Sequence, residues 1–515
     1  MRQWKAIIDG GIKYIFGIMM GLILVLCIFN KNVKYGAKRS FATENWVYLL
    51  CGVVVIWLLG MMVELLVKQT GKKGKDRVWM LLLNSLLGLV LLGVTYHYYF
   101  KVGWDAGHVI DQAKLLAQKD YEWLDHVYYA RCSNNLFLTL LFSWVIKAGS
   151  MLGFGNYYFY LVAFQCVLWA ALGYMVYEIA DVLCAEKSSA VLAWLLFILF
   201  VGVSPWVTVP YTDSVAMFFL TAVVYFYCYQ DSFPGGSFLL GMFLYVGTCV
   251  KPQIWILLIA YVIVEGPGFF VWCREQIGAM QHKRFSISKK AMLGASGFLV
   301  GLLLVKITVA CSPYTLEEGK EYAMPHYLMQ GMNQETNGIF CTEDVFYSES
   351  FPTQAERNAA NYEEAFRRVK EMGPAGMLVH LQRKLLTTYS DGSLAWGVDG
   401  GFFEMKFYSG SHKLQEFFWE LYFTDGKYFS YFMSYMQTLW MGILFFCSFS
   451  LWGKQKQERI QILALALIGV TMFELLFEPR GRHLMIYVPV MIVLACIGRE
   501  KLTCGMRHER TVEKG

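Results

Sequence analysis

Thirteen apolar runs separated by polar stretches constrain this chain more than any other feature of it. They fall at approximately 14–29, 46–67, 79–100, 134–152, 157–180, 189–205, 213–230, 237–250, 253–273, 291–311, 428–450, 460–477 and 484–498. Runs such as "VWMLLLNSLLGLVLLGVTY" are near the roughly 20 residues a helix needs to cross a bilayer. Charged residues make up 16% of the 515, and hydrophobic ones 57%. Soluble domains carry about 25% charge, so a soluble fold is excluded. The expected fold class is all-α: a polytopic transmembrane helical bundle of 12–14 spans, with amphipathic helices in a first outer loop and one long, partly helical outer loop.

The net charge of +6 comes from basic residues in the loops between runs. "VKQTGKKGKDR", "REQIGAMQHKRFSISKK", "GKQKQER" and the tail "REKLTCGMRHERTVEKG" are assigned to the cytoplasm by the positive-inside rule, and no nucleic-acid partner is implied. The stretches 101–133 and 312–427 then fall outside. Parity fails between 134 and 189. Either 157–183 is two short, bent helices, or 134–152 does not cross fully. The basic loop "KNVKYGAKR", which alternation places outside, is a second irregularity. Thirteen cysteines are scattered, mostly in apolar runs and without a CxxC pair, as expected of small buried hydrophobes. Cys311 and Cys341 share the outer side, but nothing in their spacing demands a bond. The first apolar run lacks a small-residue cleavage site and reads as a retained span.

The chain divides into an N-terminal two-span addition (1–78), a transmembrane core (79–311) that includes the outer loop 101–133, a long extracytoplasmic loop domain (312–427), C-terminal spans (428–500) and a basic cytoplasmic tail (501–515). Within the loop domain, "PTQAERNAANYEEAFRRVKEM" reads as an exposed helix opened by proline. "GPAGMLVHLQRKLLTTY" reads as a helix lying on the membrane surface.

Charged groups at the rim of a bilayer are costly and mark candidate functional positions. In "YHYYFKVGWDAGHVIDQAKLLAQ", Asp105 follows an aromatic belt and opens an amphipathic helix. It is either a helix cap or a catalytic or metal-binding acid; Asp111 reads as a solvated-face residue. In "SPWVTVPYTDSVAMFF", Asp213 starts a span with good capping composition, or contacts substrate or metal. Lys251 in "CVKPQIW" either snorkels to the interface or holds a lipid phosphate. In "FELLFEPRGRHLMIYVP", Glu474, Glu478, Arg480, Arg482 and His483 crowd a hairpin that needs only proline and glycine to turn. Arginine suits phosphate through its planar fork of donors. The loop stretch "PHYLMQGMNQETNGIF", with His326, and "YSDGSLAWGVDGGFF" have the amide, glycine and aromatic content that suits sugar hydroxyls and rings, or ordinary turns.

In their order along residues 79 to 500, "DAGHVIDQAKLLAQ", "SP…YTDS", "KP" and an "E-x-R-G-R" hairpin resemble the C-type (GT-C fold) glycosyltransferases. These are integral membrane enzymes that use polyprenyl-phosphate sugars, and the loop is similar to that of Gram-positive members. The resemblance implies a hexosyl- or pentosyltransferase of the cell membrane with its active site on the extracytoplasmic side. Its donor would be a polyprenyl-phosphate sugar, and its acceptor an envelope glycan, lipid or protein. Asp105 would act as base in an inverting displacement. Asp213, Lys251, His326, Glu478, Arg480, Arg482 and His483 would bind substrate. Many members carry two adjacent acids where this chain has Asp105 followed by Ala106. Mg²⁺ or Mn²⁺ stays open as a cofactor, and no ligand spacing names a metal site. The alternatives are a transporter or flippase of lipid-linked sugars, which predicts polar groups through the midplane, and a polysaccharide polymerase or ligase.

Overall fold

The computed structural model describes residues 2–30, 43–70, 76–153, 156–233, 235–266, 289–396, 403–407, 409–453 and 458–512. The basic loops around 31–42, 71–75, 267–288 and 454–457, on which the orientation rests, lie outside the described residues.

The bundle is built from α1 (Arg2–Phe29), α2 (Asn45–Thr70) and α3 (Asp76–Thr95), then α4 (Trp104–Gln118), α5 (His126–Arg131), α6 (Leu136–Ser150) and α7 (Tyr157–Leu183). Next come α8 (Lys187–Phe197), α9 (Thr212–Tyr229), α10 (Gly236–Val250), α11 (Pro252–Gly266) and α12 (Lys289–Ala310). The loop domain carries α13 (Met324–Gly331), α14 (Thr342–Glu349), α15 (Gln354–Tyr389) and α16 (His412–Tyr422), and α17 (Phe429–Ser448), α18 (Glu458–Leu476) and α19 (Val488–Val512) complete the bundle. Among the described residues the only strands are β1 (Phe100–Val102) and β2 (Phe403–Lys406), paired antiparallel with Phe100 opposite Lys406. The all-α expectation holds, with this one small ribbon added where residues 100–102 meet residues 403–406.

Eight helices among the described residues are long and apolar enough to cross a bilayer, fewer than the 12–14 crossings expected. Three further apolar helices are shorter, at Lys187–Gly202, Gly236–Val250 and Pro252–Gly266. The first ends in a π turn, Ile198–Gly202, and the 3₁₀ turn Pro205–Thr208 follows it. The second and third are divided where Lys251 turns extended ahead of Pro252. α17 carries Ser430, Ser434, Gln437 and Thr438 along its length.

Contacts sort the helix ends into two sets. On one side Asn45 donates to Cys27 O (2.6 Å), Asn156 to Tyr99 Oη (3.0 Å) and Gln253 to Glu474 (2.9 Å). On the other, Arg77 pairs with Glu178 (3.2 Å), Arg499 with Glu64 (3.0 Å) and Arg459 with Asp231 (3.5 Å). The Glu500 carboxylate there accepts from the amides of Ala185 and Glu186 (3.1 and 2.8 Å).

These contacts resolve the parity conflict. α7 is one uninterrupted helix of 27 residues and not two bent ones. α6 has 15 residues, about 22 Å at 1.5 Å per residue. It starts at Asn135, beside Tyr128 and Tyr211, and ends with Gly149 packed on the Tyr160 ring in the first turn of α7. Both its ends are therefore on one side, and α6 returns instead of crossing. Its apolar residues pack on α4, so composition alone made it look like a span.

The segment read as a surface helix, Gly373–Tyr389, is the second half of α15, beyond a kink at Gly373 (φ 60°) and Pro374. It enters the bundle instead: Lys384, Thr388 and Tyr389 are buried, and Tyr389 Oη shares a 2.7 Å hydrogen bond with Thr471 of α18. Cys311 is exposed, and the Cys341 thiol donates to Glu343 (2.9 Å), so these two are not bonded.

Candidate functional site

The turn from β1 into α4 sets the position of the leading acid. Trp104 takes φ +39°, a value uncommon for a bulky aromatic residue and costing about 1–3 kcal/mol. Gly107 is required one turn on, because a Cβ there would run into the Val102 carbonyl. The N-cap is Gly103, and no side chain caps the helix. Asp105 is thus not a cap. One of its carboxylate oxygens accepts from Tyr128 Oη (3.1 Å), which accepts from Asn135 Nδ2 (2.7 Å), and Asn135 reaches on to Tyr211 Oη (3.5 Å). Burial, with the nearby Asp105 charge, raises the phenol pKa of both Tyr128 and Tyr211, so both stay protonated donors. Of the eight candidate residues, only Asp105 is exposed.

Trp104 also links this acid to the hairpin. The Arg482 guanidinium lies 4.3 Å over the Trp104 ring and 5.7 Å from the Tyr211 ring, and the two rings meet edge to face at 6.0 Å. Such stacking contributes about 0.5–2 kcal/mol and offsets part of the strain at Trp104. Arg482 Nη1 is 3.8 Å from Asp213, and Lys251 donates to the other oxygen of the same carboxylate. The cap of α9 is formed by Tyr211 and Ser214, so Asp213 is a buried ion-pair partner and not a cap.

"KPQ" joins two motifs that are far apart in sequence. Lys251 holds Asp213, while Gln253 Nε2 donates to Glu474 (2.9 Å) and its carbonyl accepts from Tyr487 (3.0 Å). Glu474 also accepts from the Arg480 amide (3.0 Å) and lies 3.4 Å from His483 Nδ1. Glu474 therefore shapes the turn. Arg480 Nε donates to Glu478 (2.7 Å), which also accepts from the Phe340 amide (3.3 Å). Across the hairpin, Gly481 packs against Leu394 and Ala395, two non-glycine residues at φ +56° and +64°.

Asp105, Asp213, Lys251, Glu478, Arg480, Arg482 and His483 are thus brought to one set of helix ends. His326 is set apart in the core of the loop domain, stacked on Tyr322 (4.4 Å) with Nδ1 2.7 Å from Ser348 Oγ. Burial lowers its pKa to about 4 and keeps it neutral. The phenol pKa of its neighbour Tyr327 is raised by burial first, with Cys132, Glu478 and Asp105 adding to it. Asp111 lies on a solvated face, as expected, and is paired there. It pairs with Lys101 (3.5 Å), which also bridges to Glu404 of β2 (3.0 Å), and it accepts from Tyr157 (3.2 Å). Asp391, in "YSDGS", makes a turn, accepting from the amide (2.8 Å) and hydroxyl (2.7 Å) of Ser393.

Tyr128, Asn135, Tyr211 and Lys384 had no signal in the sequence. Lys384 is fully buried on the inner face of α15 and donates to Gly331 O and Phe477 O, both at 2.7 Å. Burial lowers its pKa to about 7. Among the described residues no group of three or more His, Cys, Asp or Glu is gathered to hold a metal ion. No step is drawn through a Mg²⁺ or Mn²⁺ ion.

Long apolar helices, short polar connections and charges gathered at the helix ends define a multi-pass integral membrane protein of all-α build. Residues 4–502 match the family described as conserved hypothetical integral membrane protein, and the chain belongs to that family. Neither the curated proteins nor the solved structures contain a match to it.

Proposed function

We propose that the chain is a membrane glycosyltransferase that moves a sugar from a polyprenyl-phosphate donor to an envelope acceptor, on the side where the hairpin lies. The observation that carries this reading is the exposed Asp105 carboxylate, positioned by Tyr128 and adjacent in sequence to the Trp104 ring that carries Arg482. Asp105 takes the proton of an acceptor hydroxyl, and the acceptor oxygen attacks the anomeric carbon. The bond from that carbon to the phosphate oxygen breaks with inversion, and polyprenyl phosphate leaves with the electron pair. Arg482, stacked on the Trp104 and Tyr211 rings and 3.8 Å from Asp213, is the group assigned to the leaving phosphate. Arg480 is committed to Glu478, and Lys251 to Asp213, so they serve chiefly to fix the hairpin.

A flippase of lipid-linked sugars is the rival from another class. It calls for polar groups at the midplane, whereas the candidate charges here gather at one set of helix ends. A polymerase or ligase would use the same residues on a lipid-linked oligosaccharide. Purified full-length chain incubated with a polyprenyl-phosphate sugar and envelope acceptor separates these readings. Transferase activity requires product formation, and a flippase gives movement of donor across a vesicle membrane with no new glycosidic bond.

A further inference from the structure

A cavity of about 290 Å³ opens on the loop domain, away from the Asp105 cluster, lined by Gln334, Ala375, Gly376, Val379, His380 and Arg383. Its depth relative to the bundle is fixed by its neighbours. Lys384, next to Arg383, donates to the carbonyl of Phe477, one residue past the end of α18. Gly331, three residues before Gln334, lies so close to Leu476 and Phe477 that a Cβ would be 2.8 Å from the Phe477 carbonyl carbon. α18 is one of the eight bilayer-length helices, so Arg383 stands level with its end, at the depth of lipid headgroups.

The chemistry of the lining suits that depth. Arg383 is exposed, and among the described residues no acid pairs with it. The wall behind it, Ala375 and Gly376, is small. His380 is 3% exposed, and its Nε2 donates to Gly331 O (2.9 Å). That bond fixes the proton on Nε2 and holds the His380 ring as part of the cavity wall. Beside the cavity Leu378 is 69% and Val379 47% exposed, an apolar pair that a water-facing loop domain would not favour.

We propose that this cavity holds the headgroup of an anionic phospholipid in the leaflet on the hairpin's side. Arg383 and Gln334 take the phosphodiester, and the acyl chains run along Leu378 and Val379. This assignment is independent of the transferase reading. It rests on depth and lining alone.

Native mass spectrometry of the delipidated full-length chain in detergent tests it, with phosphatidylglycerol, phosphatidylcholine of the same acyl chains, a polyprenyl monophosphate and inorganic phosphate as separate probes. The expected result is one retained phosphatidylglycerol, weakened about tenfold by Arg383→Gln and measurably by Gln334→Ala, as loss of a charge-assisted contact implies. The lipid should remain bound in Asp105→Ala, which abolishes transfer only. Equal retention of phosphatidylcholine, equal retention by Arg383→Gln, preference for polyprenyl monophosphate, or full competition by inorganic phosphate would each overturn it. Both lining substitutions are at surface positions, so folding is preserved.

Discussion

At Asp105 a carboxylate is held by a phenol, and that phenol is held by an amide from a third segment. Tyr128 and Asn135 lie 23 and 30 residues downstream, beyond any helical periodicity, which is why the sequence offered the acid without its partners. Tyr128→Phe should lower turnover several-fold with little change in thermal stability, because it removes a charge-assisted hydrogen bond, about 1.5–3 kcal/mol at most, from an exposed carboxylate where water can replace it. A large Tm loss with unchanged turnover would assign Tyr128 to folding alone. Asp213 and Lys251 behave differently, since Asp213 is buried and the half-buried Lys251 is its nearest counter-charge. Lys251→Ala should destabilise the chain by less than the about 3–5 kcal/mol of a fully uncompensated buried charge, because Arg482 stays 3.8 Å from Asp213, and Asp213→Asn with Lys251→Met together should recover much of that loss. Lys384 gives a pH signature. Its pKa is lowered from 10.5 to about 7, so the unfolded chain binds this proton more tightly than the folded one. Stability should therefore rise as pH climbs from about 7 towards 10.5, with the full cost of the buried ammonium present below 7. Lys384→Met should flatten that slope in a pH series of thermal unfolding.

The elements divide into those that composition could announce and those that only tertiary contacts could. Each of the thirteen apolar runs overlaps a helix among the described residues, because a run of that length has few other ways to satisfy its backbone in lipid. Direction was harder. α6 has the composition of a span, and only its packing on α4 and the return of its end to Tyr160 show that it does not cross. The β1–β2 ribbon joins segments some 300 residues apart and leaves no local trace. The second half of α15 has an apolar face, a buried lysine and a buried histidine, and an amphipathic pattern cannot distinguish a membrane surface from the inside of a bundle. Docking of the loop domain on the hairpin depends on a close approach at Gly331. Gly331→Ala should push α13 off Phe477, costing about 1–3 kcal/mol of stability by overpacking and lowering turnover through the hairpin. Unchanged Tm and turnover would show that the contact is not needed.

At the scale of the whole molecule, two sets of helix ends carry different chemistry. One gathers paired charges around Glu178, Glu64 and Asp231, and the other gathers Asp105, "KPQ" and the hairpin. In a background with Cys311→Ser and Cys341→Ser, cysteines introduced at Asp120, Ser150 and Asp425 should all react with an impermeant maleimide on intact cells, and one at Glu186 should not. Labelling of Asp120→Cys without Ser150→Cys would mean that α6 crosses. The order of motifs made the site partly legible in advance, since "WDAG", "YTDS", "KP" and "EPRGRH" do converge. What the order could not supply was the division of labour among the cations, or the placement of His326 within the loop domain. The central claim is that Asp105 removes the acceptor proton in a sugar transfer. Its most direct test is the rate at which purified full-length chain and Asp105→Asn transfer sugar from a polyprenyl-phosphate donor, with folding of both checked by thermal unfolding. The account predicts product from the parent chain and a loss of about 10²–10⁴-fold in Asp105→Asn at unchanged Tm. Full transfer by a folded Asp105→Asn would contradict it.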